Sequence, residues 1–234
     1  VNRPIALYND NSNDHWTHPT MKKFSRTLAA ALICLPLAAM AQLPSLKSLP
    51  GLGGAAAATG GDATGQNDAL VRGYVAANKD VLLANSQMAE ALGLKDAAAA
   101  SKATADALTD GATKGNLEDS NKAVSASTDA VAAEMAKGPK LDAAAKKKFE
   151  SGQAQLGRGL LKYIELRVPA QNFSASLKTA SPLMIPKLQA GAYIVGQLPT
   201  AVSNVGTSVK SAAAFSKSND IPVPADATKA MAAL

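Results

Sequence analysis

Alanine dominates this chain, and aromatic residues make up only 4% of it. That pairing constrains the fold more than any motif does. Alanine has the best helix propensity and loses no side-chain entropy on ordering, so its long runs favour helices. It also buries little area, and apolar burial stabilises by only ~25 cal/mol per Å². Helices of this kind must approach closely, with the firmest core where Leu, Ile, Val and the aromatics concentrate. The expectation is an all-α domain, an irregular antiparallel bundle of about five to seven helices behind a flexible linker.

The N-terminal part has a different logic. Lys22, Lys23 and Arg26 precede an apolar run from Leu28 to Leu37, and Ala39-Met40-Ala41 supplies small residues at −3 and −1. This is the pattern of a cleavable Sec-type signal peptide over residues 21–41, cut after Ala41. The polar, acidic Asn9–Asp14 stretch is unlike a basic n-region, so residues 1–20 are expected to be a mis-called upstream extension of Met21. Cys34 follows Ile33, where lipid attachment needs a small residue, and it reads as part of the apolar run. The expected location is periplasmic or secreted. The general look is similar to exported alanine-rich proteins of Gram-negative bacteria, although no diagnostic motif carries that likeness.

Cleavage at Ala41 has chemical consequences. His15, His18, Trp16 and Cys34 all lie upstream of the cut, and no His, Cys or Trp follows it. Cys/His zinc sites, thiol nucleophiles, disulfides and a Ser-His-Asp triad are therefore excluded from the mature chain. No Ser has a Lys three positions on, and Gly157-Arg158-Gly159 lacks the third glycine of a dinucleotide fingerprint. Asp106 to Glu118 is acidic, but Leu108 stands where a calcium loop needs a ligand. Glu165, flanked by Tyr163 and Ile164, is the one carboxylate worth following. A surface Glu paired with Lys162 or Arg167 is the expected reading of it. No catalytic, cofactor-binding or metal-binding residues are expected, and the chain is read as a non-enzyme.

The net charge of +6 falls to +4 once the expected leader, with Arg3, Lys22, Lys23, Arg26, Asp10 and Asp14, is removed, and that is mild. The basic run Lys146-Lys147-Lys148 sits between Asp142 and Glu150, and the aromatics are scattered, so a nucleic-acid groove is not expected. Residues 42–65, rich in Gly, Pro and Ala, read as the linker. Helices are expected over 66–92, 94–109, 117–137, 141–168, 172–179, 182–197 and 200–218, with 94–109 and 117–137 as a weaker hairpin against the rest. Residues 66–220 form the expected domain and 221–234 a Pro-containing tail. Gly93 and Gly138-Pro139 are expected helix stops. Gly152, Gly157 and Gly159 each cost a helix about 1 kcal/mol relative to Ala, so a close neighbour or a kink is expected there. Leu183 to Val202 is near membrane-span length but carries Lys187, Gln189 and Gln197, and it reads as a buried hairpin, leaving no transmembrane span in the mature chain.

Tyr74, Leu82, Leu156, Tyr163, Leu188 and Tyr193 are the expected packing anchors. Amphipathic helices on a tether suit an exported, non-enzymatic envelope protein that binds another envelope protein or itself. The alternative is a carrier of an apolar or lipid-like ligand in a cavity of the bundle.

Overall fold

The computed structural model describes residues 57–234, with side chains from Ala63 onward. The expected signal peptide over 21–41, the expected upstream extension over 1–20 and the expected linker up to residue 56 lie outside the described residues. Among the described residues the chain is all-α, with seven helices and no strand: α1 (Ala57–Ala91), α2 (Lys95–Ala107), α3 (Lys114–Ala136), α4 (Ala143–Glu165), α5 (Arg167–Thr179), α6 (Gln189–Ser218) and α7 (Ala225–Ala232). A single 3-10 turn, Ile185–Lys187, precedes α6. No helix among them is long and apolar enough to cross a membrane.

Helix α1 is the central post, and α2 to α6 all pack on it. Its stripe of Leu70, Tyr74, Val81, Leu82 and Met88 is buried, as the helical spacing predicts. The helix starts at Ala57, ahead of the expected Gln66. Alanine propensity carries it through the glycines of that stretch, and Ala63 is packed into the core.

Helix α4 runs antiparallel to α1. Gln87 bonds Gln155 at 3.0 Å and Asp80 pairs with Lys162 at 2.7 Å, while Glu90 pairs with Lys148. The expected close approach at the α4 glycines is present. A Cβ on Gly152 would lie 2.9 Å from the Ala84 carbonyl oxygen, and one on Gly159 would lie 2.8 Å from Val81 Cγ2. Gly157 serves a different neighbour, since its Cβ would meet the Ala227 nitrogen of α7 at 2.6 Å. Asp142 caps α4 by accepting from the Ala145 N–H at 2.7 Å.

Helices α2 and α3 form the expected hairpin against α1. Gly93 (φ +81°) and Gly138 (φ +66°) stand at the left-handed stops after α1 and α3. Helix α3 begins before the expected Leu117, because Thr113 and Asn116 build a reciprocal capping box.

The prolines overturn three expectations. Helix 141–168 ends at Glu165: in a continuous helix Pro169 would offer no N–H to the Glu165 carbonyl, and its ring would crowd that oxygen. The chain turns at Leu166, and α5 starts at once, ahead of the expected 172. The expected helix over 182–197 does not form its first half. Pro186 has no N–H for the Pro182 carbonyl, so the stretch closes only as the 3-10 turn Ile185–Lys187, and Leu183 is left 87% exposed rather than in a buried hairpin. Conversely, Pro199 does not break the chain into two helices. It lies inside α6, whose buried Ile194, Leu198, Val202, Val205 and Val209 hold the helix together across the missing hydrogen bond.

Residues after Asp220 join the bundle rather than trailing from it. Asp220 takes a left-handed conformation (φ 54°), and the Ile221 N–H reaches back to the Ser216 carbonyl at 2.9 Å. That turn buries Ile221 and lays α7 on α4, with Ala227 and Ala230 fully buried.

Candidate functional site

Three of the expected anchors, Tyr74, Tyr163 and Tyr193, come together in one hydrogen-bonded cluster. Tyr74 and Asn78 lie one turn apart on α1, Ser120 and Asn121 adjoin on α3, Tyr163 comes from α4 and Tyr193 from α6. Tyr74 donates to Asn121 Oδ1 at 3.1 Å, and Asn78 Nδ2 donates to Ser120 Oγ at 2.7 Å and to Asn121 Oδ1 at 3.1 Å. Tyr163 donates to Asn78 Oδ1, and Asn121 Nδ2 donates to Tyr193 Oη at 2.9 Å. The Tyr74 and Tyr163 rings sit 5.3 Å apart in a tilted pair. Leu82, Leu156 and Leu188 are buried elsewhere in the core.

Two helical turns further along, the contact repeats. Asn85 Nδ2 donates to Ser127 Oγ at 2.8 Å and to Thr128 Oγ1 at 3.0 Å. Asn78 to Asn85 and Ser120 to Ser127 are both steps of seven, so α1 and α3 run parallel in a fixed register. The sequence reading missed this. Asn78, Asn85, Asn121 and Thr128 are polar residues that helical periodicity alone does not single out. The shared spacing of seven on two core-facing stripes is the signal that finds them.

Burial pushes both phenols well above the ordinary tyrosine range, with the Asn121 hydrogen bond drawing Tyr74 part of the way back. The cluster is therefore a neutral set of donors and acceptors near pH 7. It suits recognition by hydrogen bonds and does not supply a general acid or base.

Tyr74, Asn121 and Tyr163 of this cluster, with Asn85, floor a groove of about 400 Å³ between α3 and α6. Val124, Val131, Ala132 and Met135 of α3 face Ala201 and Val205 of α6, and Ser125, Asp129, Asn204 and Ser208 edge the opening. Tyr74, Asn85 and Met88 of α1 and Tyr163 of α4 lie beneath. Asn85 is 1% exposed, and its Oδ1 has no hydrogen-bond partner. A buried amide oxygen left unsatisfied costs about 1–3 kcal/mol, which a donor arriving in the groove would recover. The volume and the mix of apolar walls with a few convergent polar groups match small-molecule sites.

The carboxylates are elsewhere. Glu165 is exposed, and Lys162, one of its expected partners, pairs with Asp80 instead. Glu90 pairs with Lys148 and Glu134 with Lys137. No His/Cys/Asp/Glu group able to hold a metal occurs among the described residues.

Comparison with known proteins adds no relative. No family model, no curated protein and no solved structure matches the chain.

Proposed function

We propose that this chain is an exported, non-enzymatic helical protein of the Gram-negative envelope that carries a small amphiphilic ligand in the α3/α6 groove. The observation behind this reading is the groove itself: apolar side walls over a neutral hydrogen-bonding floor, with the unpartnered Asn85 oxygen at its base. Asp129 is the one carboxylate in its lining, which favours binding over acid–base chemistry. The leader pattern over 21–41 supports export, with the mature chain starting at Gln42.

The test uses the mature chain recovered from a periplasmic fraction. Intact mass should place its start at Gln42. The neutral dye Nile red should bind saturably and lose that binding in Ser125→Trp, which fills the groove from an exposed edge. Native mass spectrometry should show a small bound mass on the wild type and less on the variant. Equal dye binding by both proteins would reject the groove as the carrier site.

A second reading has an observation of its own. Leu183 and Ile185, 87% and 44% exposed, stand together on the loop before α6 and suit a protein contact. Periplasmic crosslinking should then capture a partner, or a second copy, that the Leu183→Ser/Ile185→Ser variant fails to capture.

A further inference from the structure

We propose a second binding site on the other side of α6: a groove that takes a single-chain amphiphile with a carboxylate head, such as a free fatty acid. This groove, of about 740 Å³, lies between α5 and α6, and Leu234 closes part of it. Leu198 and Val202 form its apolar bed, and Leu234 packs over Gly206. Two cations line it, Arg167 from α5 and Lys210 from α6, and no Asp or Glu side chain does; the main-chain carboxylate of Leu234 pairs with neither cation. Neither cation belongs to any ion pair among the described residues, whereas Arg158, Lys148 and Lys162 each find a carboxylate on another helix.

That combination selects the occupant. An apolar bed beside two cations without an ion-pair partner complements a molecule with one hydrocarbon tail and an anionic head, and the guanidinium fork matches a carboxylate. A second copy of this face would set like charges against each other. The chain's own leucine-rich stretch, residues 43–52, contributes Lys47 and no carboxylate, so its charge opposes the site as well. The proposal is independent of the α3/α6 groove, because α6 separates the two and their linings share only Thr207.

The test is calorimetric titration of the mature chain with sodium laurate below its micelle concentration. A single saturable site is expected. Arg167→Gln/Lys210→Gln should weaken binding ~10-fold or more, through loss of charge-assisted contacts, while Arg167→Lys/Lys210→Arg should stay within a few-fold of wild type. A full buried methylene contributes about fourfold, so decanoate should bind several-fold more weakly than laurate in this open groove. Dodecyl maltoside, with the same tail and no charge, should bind ~10-fold more weakly or worse. All three altered positions, with Ser203 below, are exposed, so circular dichroism should be unchanged. Ser203→Trp should block laurate and leave Nile red bound, and Ser125→Trp should do the reverse. Equal laurate affinity in the Gln double variant would overturn the proposal, as would blockage by Ser125→Trp instead of Ser203→Trp. Charge-dependent binding to anionic phospholipid vesicles with no saturable laurate site would also overturn it, and would identify a membrane surface as the partner.

Discussion

Replacing a helical glycine by alanine should have opposite signs at Gly152 and Gly196. Both lie inside helices, so alanine gains about 1 kcal/mol of intrinsic propensity at each. At Gly196 on α6 nothing stands within 4 Å of the new methyl, and the full gain should appear. At Gly152 the methyl would lie 2.8 Å from Met88 Cγ, 2.9 Å from the Ala84 carbonyl oxygen and 3.1 Å from the Met88 nitrogen. Met88 Cγ can swing away, but the other two atoms are α1 backbone. Helix α1 cannot step back locally, because Gly159 holds it at Val81 and Gly73 admits Leu166 along the same seam. Overpacking costs ~1–3 kcal/mol, and rigid backbone neighbours place this site in the upper half of that range. Gly152→Ala should therefore lose about 1–2 kcal/mol net after the propensity gain. At roughly 2–4 °C per kcal/mol for a domain of this size, Gly196→Ala should melt a few degrees above wild type and Gly152→Ala several degrees below. Urea unfolding followed by circular dichroism measures the same pair isothermally. A Gly152→Ala protein as stable as wild type, or more so, would refute the idea that backbone approach holds the α1/α4 seam.

Tyr163→Phe leaves Asn78 Oδ1 without its phenol donor in a fully buried site, so it should cost about 1–3 kcal/mol in urea unfolding. A loss below a few tenths would mean that this hydrogen bond contributes nothing. Burial raises the Tyr74 and Tyr163 pKa above the ordinary 10.0, so the unfolded chain releases those protons first as pH climbs. Their contribution is complete below pH 10 and declines above it by ~1.4 kcal/mol per pH unit per tyrosine. Denaturation at stepwise alkaline pH should show that slope, and Tyr163→Phe should shed about half of it. Pro199→Ala restores an N–H facing the Val195 carbonyl at an exposed position. It should stabilise by ~1–2 kcal/mol, the helix-interior proline penalty less the gain in unfolded-state freedom; a lower melting temperature would show that the proline is needed by the packing of α6.

The helices with large apolar residues were legible because a 3.6-residue period survives any tertiary context. α1 and α4 emerge from Tyr74, Leu82, Phe149, Leu156 and Tyr163, all buried. The glycines of α4 were legible too, since three helix-weakening residues within eight positions demand a compensating contact. Proline was misread because its effect depends on what surrounds it. Pro169 acts four residues upstream at Glu165, whereas Pro199 is overridden by a buried stripe on both sides of it. The polar α1/α3 contact beside the groove was least legible. Asparagine and serine ordinarily mark solvated faces, and only their partners across α1 and α3 turn Asn78, Asn85, Ser120 and Ser127 into core residues.

One composition gives a closed seam between α1 and α4 and an open groove between α3 and α6, and the difference lies in what separates the backbones. Small residues line both. Between α1 and α4 the glycines remove the last obstacle, and the helices close until backbone meets backbone. Between α3 and α6 Tyr193 spans the gap to Asn121, and Tyr74 on α1 donates to the same Asn121 side chain. Small side chains such as Ser125, Ala132, Ala201 and Ser208 cannot fill the space left above. On this view Tyr193 is a spacer first and a hydrogen-bond partner second. Tyr193→Phe keeps the ring and should retain Nile red binding within a few-fold, losing about 0.5–1.5 kcal/mol of stability with the hydrogen bond. Tyr193→Ala removes the strut, so α3 and α6 should collapse toward each other and dye binding should be lost while helix content persists. Full dye binding by Tyr193→Ala would show that the groove is held open by something other than this side chain.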